Sequence, residues 1–366
     1  MATSQIPTTS FDNFSSVPFS VQELIKQPLL SIPDQYILPN QEFPSTVDCA
    51  SLPSIPTIDL KRLVSPETAD LELQKLNSTC KDWGFFQLLN HGVNSVLLNK
   101  LKYEVEEFYR LPLEQKMKYK TRPGEAEGYG PIARPGTKLD WGDRLYMISN
   151  PTHRRNPRLI PELPSSLRTC LESYLLEMQQ LAMKLLGFMA SALKMDMKEM
   201  EMFDDGLQSV RFTYYPPCPQ PEKVVGLTPH SDPTGITILN QINGVDGLQI
   251  KRKGSWFPVS LRPDAFVVNV GDILEILSNG VYKSIEHRAT VNSGKERISV
   301  AFFVNPKFEA EVGPAASLIN SQNPPMFKRK GVETYVKDFF SRPLNGKSFL
   351  ENMKLEDDQE AALDGN

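Results

Sequence analysis

The second half of the chain consists largely of short apolar runs separated by turn dipeptides. The turns are Asn243-Gly244, Asp246-Gly247, Lys253-Gly254, Asn279-Gly280 and Ser293-Gly294. Such dipeptides interrupt helices, and apolar runs of this length between them are typical of strands. The runs cover 224–228, 236–241, 247–250, 256–260, 265–270, 273–277, 281–286 and 297–304. This pattern predicts a closed or double-sheet all-β core.

The first half of the chain alternates between strand and helix periodicity. Apolar spacing predicts helices over 71–83, 94–108 and 165–195, and strands over 55–60 and 84–89. The apolar residues of the first helix are Leu71, Leu73, Leu76 and Cys80. The segment 121–164 is rich in Gly, Pro and Arg, which predicts an irregular region that forms a lid or a pocket wall. These elements predict an α+β fold in which helices cover the β core.

We expect five regions along the 366 residues. They are a partly disordered N-terminal extension at 1–50, a mixed α/β region with a long helix at 51–205, the β core at 206–310, a helical cover at 311–350 and an acidic tail at 351–366. The tail has a net charge of −5 and the whole chain −4, so residues 1–350 carry +1. The body of the protein is therefore nearly neutral.

Composition excludes several classes of protein. A net charge of −4 gives no support to nucleic-acid binding through bulk positive charge. The four cysteines are far apart and form no Cys-x-x-Cys pair, as in reduced intracellular proteins. The start of the chain lacks the features of a targeting signal, and no apolar run approaches eighteen residues. We expect a monomeric cytoplasmic protein with neither a nucleic acid nor a membrane as partner.

Two of the four histidines lie in the predicted β region. His230 and Asp232 are two positions apart, so an extended backbone places both on one face, and His287 follows 57 residues after His230. Two imidazoles and one carboxylate can occupy one face of an octahedral iron and leave three positions open, as in non-haem Fe(II) oxygenases. A His-x-Asp pair also arises by chance, so this interpretation needs support from the surrounding sequence.

Ten residues after His287, Arg297 and Ser299 share one face of a predicted strand. A guanidinium fork together with a hydroxyl is suited to bind a carboxylate. An arginine in a strand is also often a surface ion-pair partner, and both interpretations remain open at this point. The other two histidines, His91 and His153, have no matching carboxylate, and we expect them not to bind metal.

Several ordered motifs give the chain a recognisable relationship. They are Ile55-Pro56-Thr57-Ile58-Asp59-Leu60, Trp83-Gly84-Phe85-Phe86-Gln87, Asn90-His91-Gly92-Val93, Tyr214-Tyr215-Pro216-Pro217-Cys218-Pro219, Gly226-Leu227-Thr228-Pro229-His230-Ser231-Asp232, Asn269-Val270-Gly271-Asp272 and Glu286-His287-Arg288. With these motifs the sequence resembles the plant 2-oxoglutarate- and Fe(II)-dependent dioxygenases, which include flavonol synthase, anthocyanidin synthase and the alkaloid O-demethylases. The resemblance extends from about residue 20 to residue 350 and implies a double-stranded β-helix (jelly-roll) core.

The resemblance also implies the cofactor site. His230, Asp232 and His287 correspond to the iron ligands, and the catalytic residues are the same three. Arg297 and Ser299, with Tyr215, correspond to the residues that hold 2-oxoglutarate. The family usually has Asn two residues before that tyrosine, whereas this chain has Thr213, whose hydroxyl has a shorter reach. The implied cofactors are Fe(II), 2-oxoglutarate as co-substrate and ascorbate as reductant.

For the organic substrate the resemblance implies five lining residues: Phe303, Asn305, Tyr129, Arg144 and Tyr146. Arg144 and Asn305 are departures from the family pattern: an aromatic residue is common in relatives at the position of Arg144, and anthocyanidin synthase-like enzymes have an acidic residue at the position of Asn305. The implied function is hydroxylation or O-demethylation of an aromatic specialised metabolite of flavonoid, alkaloid or coumarin type. The reaction consumes O2 and releases succinate and CO2. Two alternatives are a hormone-metabolising oxidase with an acidic substrate such as a gibberellin, and a non-catalytic jelly-roll binding protein.

Overall fold

The computed structural model describes residues 20–38, 54–131 and 137–355. The disorder expected in the N-terminal extension and the acidic tail beyond residue 355 lie outside these residues. Fourteen strands occur in the described parts of the chain. They are β1 (Thr57–Asp59), β2 (Phe85–Leu89), β3 (Gly128–Tyr129), β4 (Asp143–Asn150), β5 (Gln208–Tyr215), β6 (Leu227–His230), β7 (Ile236–Gln241), β8 (Leu248–Arg252), β9 (Ser255–Pro258), β10 (Phe266–Val270), β11 (His287–Ala289), β12 (Arg297–Val304), β13 (Glu311–Val312) and β14 (Lys330–Gly331).

Twelve of these strands form two sheets that face each other. The larger sheet has the strand order β1-β2-β10-β7-β12-β5-β4-β3, the smaller has β6-β11-β8-β9, and β13 pairs with β14. The described strand pairs are antiparallel apart from the parallel pair β1–β2. One apolar cluster joins the sheets and contains Ile55, Phe85, Leu248, Ile250, Val259 and Val267. The predicted jelly-roll core is therefore confirmed.

Helices cover the outer face of the larger sheet. The helices of the described residues are α1 (Val21–Leu24), α2 (Leu60–Val64), α3 (Ala69–Asp82), α4 (Ser95–Arg110), α5 (Leu113–Lys116), α6 (Ser165–Leu193), α7 (Asp272–Leu277), α8 (Val332–Phe340) and α9 (Ser348–Glu351). Leu171, Leu175, Met178, Leu181, Leu185 and Met189 form a buried stripe of α6 that packs into the main core. None of these helices is both long and apolar enough to cross a membrane.

Alternation along β12 separates the core from the site. All eight residues of this strand are buried. Its even-numbered side chains, Ile298, Val300, Phe302 and Val304, belong to the main core beneath the helices. Its odd-numbered side chains, Arg297, Ser299, Ala301 and Phe303, line a cavity between the sheets. A strand covered on both faces thus uses one face for packing and the other for chemistry.

Three predicted elements differ from the structure. Residues 273–277 belong to the buried helix α7; a run of five residues is too short for its periodicity to separate a helix from a strand. Residues 281–286 precede the strand, which begins at His287. The segment 121–164 is not irregular throughout, since it contains the eight-residue strand β4. Burial alternates along β4, but the sequence does not show this alternation, because Asp143 and Ser149 are buried polar residues.

The buried face of α3 also differs from the prediction. Leu71 is 64% exposed, whereas Glu72 is buried. The Glu72 carboxylate accepts hydrogen bonds from the backbone N–H of Asp59 (2.9 Å) and from Nε of Arg62 (3.1 Å). These two donors replace the water that a buried carboxylate loses, so the helix can turn a polar residue inward.

A buried carboxylate joins the segment 20–38 to the larger sheet. Asp143, the first residue of β4, accepts hydrogen bonds from the Ser20 hydroxyl, the Val21 N–H (2.8 Å) and the Tyr129 hydroxyl (2.9 Å). Ser20 and Tyr129 are themselves buried. This carboxylate therefore holds the segment before α1 against the strand that forms one wall of the cavity.

We expect Asp143→Ala to lower the free energy of unfolding by about 3 kcal/mol, because several buried donors lose a charged acceptor. Chemical denaturation measures this change. The exposed residue Asp82 provides the control, and Asp82→Ala should change stability by no more than about 0.5 kcal/mol. Trypsin should also cleave after the exposed Lys26 faster in Asp143→Ala than in the parent protein. Equal cleavage rates would show that Asp143 does not secure this segment.

Candidate active site

Three predicted ligands meet between the two sheets. His230 ends β6 and is paired directly with His287 at the start of β11, and their ring centroids are 4.4 Å apart. Asp232 lies two residues beyond β6, with its Oδ1 at 3.4 Å from Nε2 of His230 and 3.7 Å from Nε2 of His287. All three residues are buried, and their ligand atoms lie within 4.8 Å of one another. Among the described residues this is the only such cluster of possible metal ligands.

Backbone carbonyls fix the tautomer of both imidazoles. Nδ1 of His230 lies 2.7 Å from the carbonyl oxygen of Thr228, and Nδ1 of His287 lies 3.0 Å from that of Ile285. A carbonyl can only accept, so each Nδ1 carries the proton and each Nε2 presents a lone pair to the cluster. This arrangement is typical of metal-binding histidines, and the donor set fits Fe(II).

The electrostatics of the cluster also suit a cation. Burial lowers the pKa of His287 to about 4, although Asp232 opposes this effect. Burial alone would raise the pKa of Asp232, but the two imidazoles and a hydrogen bond from Asn269 hold it well below the usual range. At neutral pH the site therefore combines a neutral His287 with an ionised carboxylate, which are the protonation states that metal ligation requires.

The predicted 2-oxoglutarate residues lie beside this cluster on two paired strands. Arg297 is opposite Tyr215, and Ser299 is opposite Thr213, in the register of β12 and β5. The Arg297 guanidinium carbon lies 5.1 Å from the centroid of the Tyr215 ring. Thr213 lines the neighbouring, larger cavity, while Arg297, Ser299 and Tyr215 line the cavity that also contains Asp232 and His287.

Arg297 lacks an acidic partner within the described part of the chain. It is 2% exposed, its Nε lies 3.4 Å from Oε1 of Gln241, and the side chain of Tyr215 is a further hydrogen-bond partner. Burial lowers its pKa, as expected for a cation removed from water. An unpaired buried cation is costly, and the carboxylate of a bound acid would compensate it. This side chain therefore fits the role that the sequence predicts for it.

A larger cavity opens next to the cluster and shares His230 and Asp232 with it. Four of the five predicted substrate residues line this cavity: Phe303, Asn305, Arg144 and Tyr146. The described wall also contains Lys138 and Asp140, and helix α8 contributes Val336, Phe339 and Phe340. The cavity thus combines aromatic walls with charged groups of both signs.

The structure does not bring Tyr129 to this cavity. Its ring is fully buried, and its hydroxyl donates to Asp143 on the far side of the wall. His91 stacks on Phe266 with ring centroids 4.1 Å apart and accepts a hydrogen bond from the Val93 N–H, and His153 is exposed on the surface. Neither of these histidines joins the cluster.

Arg211 is a cavity residue that is absent from the residues predicted above. It lines both cavities and lies between Tyr146 and Ala301 in the register of the larger sheet. Its guanidinium carbon is 5.2 Å from the centroid of the Phe303 ring, and its buried Nε has no acceptor among the described residues. The alternation of β5 could have revealed it, because Arg211 shares the face of Thr213 and Tyr215.

Two family models match the chain. The model described as the 2OG-Fe(II) oxygenase superfamily matches residues 206–306. The model described as non-haem dioxygenase in morphine synthesis N-terminal matches residues 55–163.

Individual relatives match over almost the full length. An oxoglutarate-dependent flavonoid 7-O-demethylase from Ocimum basilicum is 48% identical over 340 residues, covering 92% of this chain and 91% of the relative. Codeine O-demethylase from Papaver somniferum is 46% identical, covering 94% and 97%. The crystal structure of JOX2 in complex with 2OG, Fe and JA is similar with a TM-score of 0.82 at 35% identity, covering 93% of this chain and 99% of that one.

The low pKa of His287 predicts that the metal-free protein loses stability in mild acid. In the unfolded chain this imidazole takes up a proton near pH 6.5, but in the folded chain only near pH 4. The unfolded state binds more protons between these values, so the free energy of unfolding falls as the pH decreases through this window. We expect a loss of about 3 kcal/mol through this residue.

Urea denaturation of chelator-treated protein at pH 7.5 and pH 4 measures this loss. His287→Gln, which cannot titrate, should show the smaller dependence on pH. Equal pH dependence in the two proteins would contradict the assigned environment of His287.

Proposed function

The chain belongs to the 2-oxoglutarate- and Fe(II)-dependent oxygenase superfamily, and from this premise we propose that it hydroxylates or O-demethylates an aromatic specialised metabolite. The buried His230–Asp232–His287 cluster beside the unpaired Arg297 carries the proposal. The relatives named flavonoid 7-O-demethylase and codeine O-demethylase support the substrate class. The intact donor set, together with these enzymes as relatives, favours an enzyme over a non-catalytic binding protein.

In this proposal each polar group of the site has a separate task. His230, Asp232 and His287 would hold Fe(II), and three protein ligands leave room for the co-substrate and O2. Bound Fe(II), with 2-oxoglutarate and O2, supplies the oxidant for a substrate C–H bond, releasing succinate and CO2. Arg297 and Ser299 would bind the distal carboxylate of 2-oxoglutarate, and Tyr215 would flank it. The buried walls keep bulk water from the reacting groups.

The larger cavity would orient the organic substrate. Phe303 and Tyr146, whose ring centroids are 6.3 Å apart, provide aromatic surface for a planar molecule. The buried Oδ1 of Asn305 has no donor among the described residues, so a substrate hydroxyl could satisfy it. The carbon held nearest the iron site would decide the outcome, because oxidation of a methoxy carbon releases formaldehyde and leaves a phenol.

We further propose that the enzyme is a cytoplasmic monomer that uses ascorbate as its reductant. Cys80, Cys170 and Cys218, which the structure describes, are free thiols, as expected in a reducing compartment.

An acidic substrate is the second candidate, and the cations of the cavity favour it. Arg211 has a buried, unpaired Nε, and Arg144 lies on the same wall. A carboxylate on the substrate would form a charge-assisted hydrogen bond with Arg211. Succinate production with acids such as gibberellins, but not with neutral phenolics, would establish this alternative.

Turnover with a panel of flavonoids, alkaloids, coumarins and plant acids tests the proposed function. Purified protein with Fe(II), ascorbate and 2-oxoglutarate should form succinate with at least one aromatic compound. Mass spectrometry of the product distinguishes gain of oxygen from loss of a methylene. Absence of substrate-dependent succinate across the whole panel would refute the proposal.

Two variants separate the iron site from the co-substrate site. His287→Ala should abolish turnover, because the iron loses a ligand. Arg297→Ala should mainly raise the KM for 2-oxoglutarate, by about 10- to 100-fold, which corresponds to the loss of hydrogen bonds to a charged group. Steady-state kinetics with varied 2-oxoglutarate measures both effects. Normal activity in His287→Ala would exclude the iron assignment.

Arg211→Met should raise the KM for the organic substrate by about 10-fold or more and leave the KM for 2-oxoglutarate largely unchanged. Arg144→Met is the matched control on the same wall. Arg144 already donates to the carbonyl oxygens of Gly130 and Ala126, both at 3.2 Å, so its loss should affect the substrate KM less. Kinetics with the substrate found in the panel measures both variants. A larger effect at Arg144 would reverse the assignment.

A further inference from the structure

We infer that Thr237 and Asn269 are positioning residues, which hold one oxygen of Asp232 so that the other faces the two imidazoles. The inference rests on the iron site proposed above. It extends the site to two strands of the larger sheet, although the three ligands themselves lie on and beside the smaller sheet.

Strand register places both donors beneath the carboxylate. Thr237 on β7 and Asn269 on β10 are directly paired neighbours, so their side chains lie on the same face of the larger sheet. The Thr237 hydroxyl donates to Oδ2 of Asp232 at 2.7 Å, and the Asn269 side-chain amide donates to the same oxygen at 2.9 Å.

These two hydrogen bonds give the two carboxylate oxygens of Asp232 different surroundings. Oδ2 is occupied by protein donors, while Oδ1 lies 3.4 Å and 3.7 Å from the imidazole nitrogens. Rotation of the carboxylate about its own axis would break both bonds in a buried place where little water can replace them. The arrangement therefore favours binding of a metal through Oδ1 alone.

The surroundings hold the donors and the backbone of Asp232 in place. The Thr234 hydroxyl oxygen lies 3.2 Å from the Thr237 hydroxyl oxygen. Because the Thr237 hydroxyl donates its proton to the Asp232 carboxylate, the Thr234 hydroxyl is the donor in its hydrogen bond with Thr237. The backbone N–H of Asp272 donates to the carbonyl oxygen of Asp232 at 2.7 Å. Thr237, Asn269 and Asp232 are all buried. Groups that orient a metal ligand in this way typically contribute 10- to 100-fold to metal affinity.

The test measures Fe(II) binding itself, without turnover. Thr237→Val removes the hydroxyl but keeps the branched shape that suits a strand, and Asn269→Leu removes the amide at similar volume. We expect each variant to raise the dissociation constant for Fe(II) about 10-fold in anaerobic titration calorimetry. The charge-transfer absorption of the Fe(II) complex with 2-oxoglutarate should also shift, because the geometry of the ligand changes. Thr237→Ser, which keeps the donor, should bind Fe(II) like the parent protein.

Thr290→Val is the matched control. Thr290 lies three residues after His287, and its hydroxyl donates to the carbonyl oxygen of Gly247 at 3.2 Å, away from Asp232. This variant should keep the Fe(II) affinity of the parent protein. If one of the two test variants does not fold, the other decides, because both donors meet the same oxygen.

The possible outcomes separate this inference from the proposed function. If the parent protein takes up no Fe(II), the iron site itself is wrong. If the parent protein binds Fe(II) and Thr237→Val or Asn269→Leu binds it equally well, only the positioning role is wrong. A fall in melting temperature without a change in Fe(II) affinity, or no recovery in Thr237→Ser, also overturns the positioning role.

Discussion

The buried carboxylate of Asp232 is the interaction on which the rest of the site depends. An anion between two apolar sheets is stable only if donors or cations surround it. The larger sheet supplies two donors to Oδ2, and the smaller sheet presents two imidazoles to Oδ1. A cation bound at Oδ1 would complete the compensation. The position of the two sheets relative to each other therefore determines which groups surround the Asp232 carboxylate.

Side chains of β5 and β12 point alternately to the two faces of the larger sheet, so one face packs the core and the other lines the site. Their outward side chains join the core beneath α6, so the strands cannot slip by one residue without exposing that core. The same register fixes the inward side chains, which place Arg297 opposite Tyr215 and Arg211 opposite Ala301. Packing on the outer face thus holds the buried Arg297 and the half-buried Arg211 on the inner face, where neither has an ion-pair partner among the described residues. Binding of an anionic or strongly accepting group would compensate the desolvation of the Arg297 guanidinium.

The sequence predicts the parts of the site that depend on local spacing or on recognised motifs. His230, Asp232, Arg297 and Ser299 are of this kind, because an extended backbone alone places each pair on one face. Thr237 and Asn269 could not be predicted, since their role depends on the pairing of β7 with β10 and on the distance to a residue of another segment. The helix α7 escaped prediction for a different reason: its six residues, all of them buried, are too few to show a helical period. Tyr129 lies in the segment 121–164, which the sequence predicts to form a lid or a pocket wall. Its hydroxyl, however, donates to the buried carboxylate of Asp143 and does not face the cavity.

Selectivity for the organic substrate depends on which charged groups of the cavity still need a partner. The Arg144 guanidinium donates to two backbone carbonyls and helps to build the wall. The carboxylate of Asp140 is likewise occupied at Oδ1, which accepts hydrogen bonds from the N–H (2.8 Å) and the hydroxyl (2.6 Å) of Thr228. Arg211 retains an unsatisfied donor, Nε, beside the Phe303 ring, and it also lines the smaller cavity that contains Arg297 and His287. A substrate that places an acceptor at Arg211 and an aromatic plane along Phe303 would satisfy both, and its reactive carbon would then lie on the side of the cavity formed by His230 and Asp232.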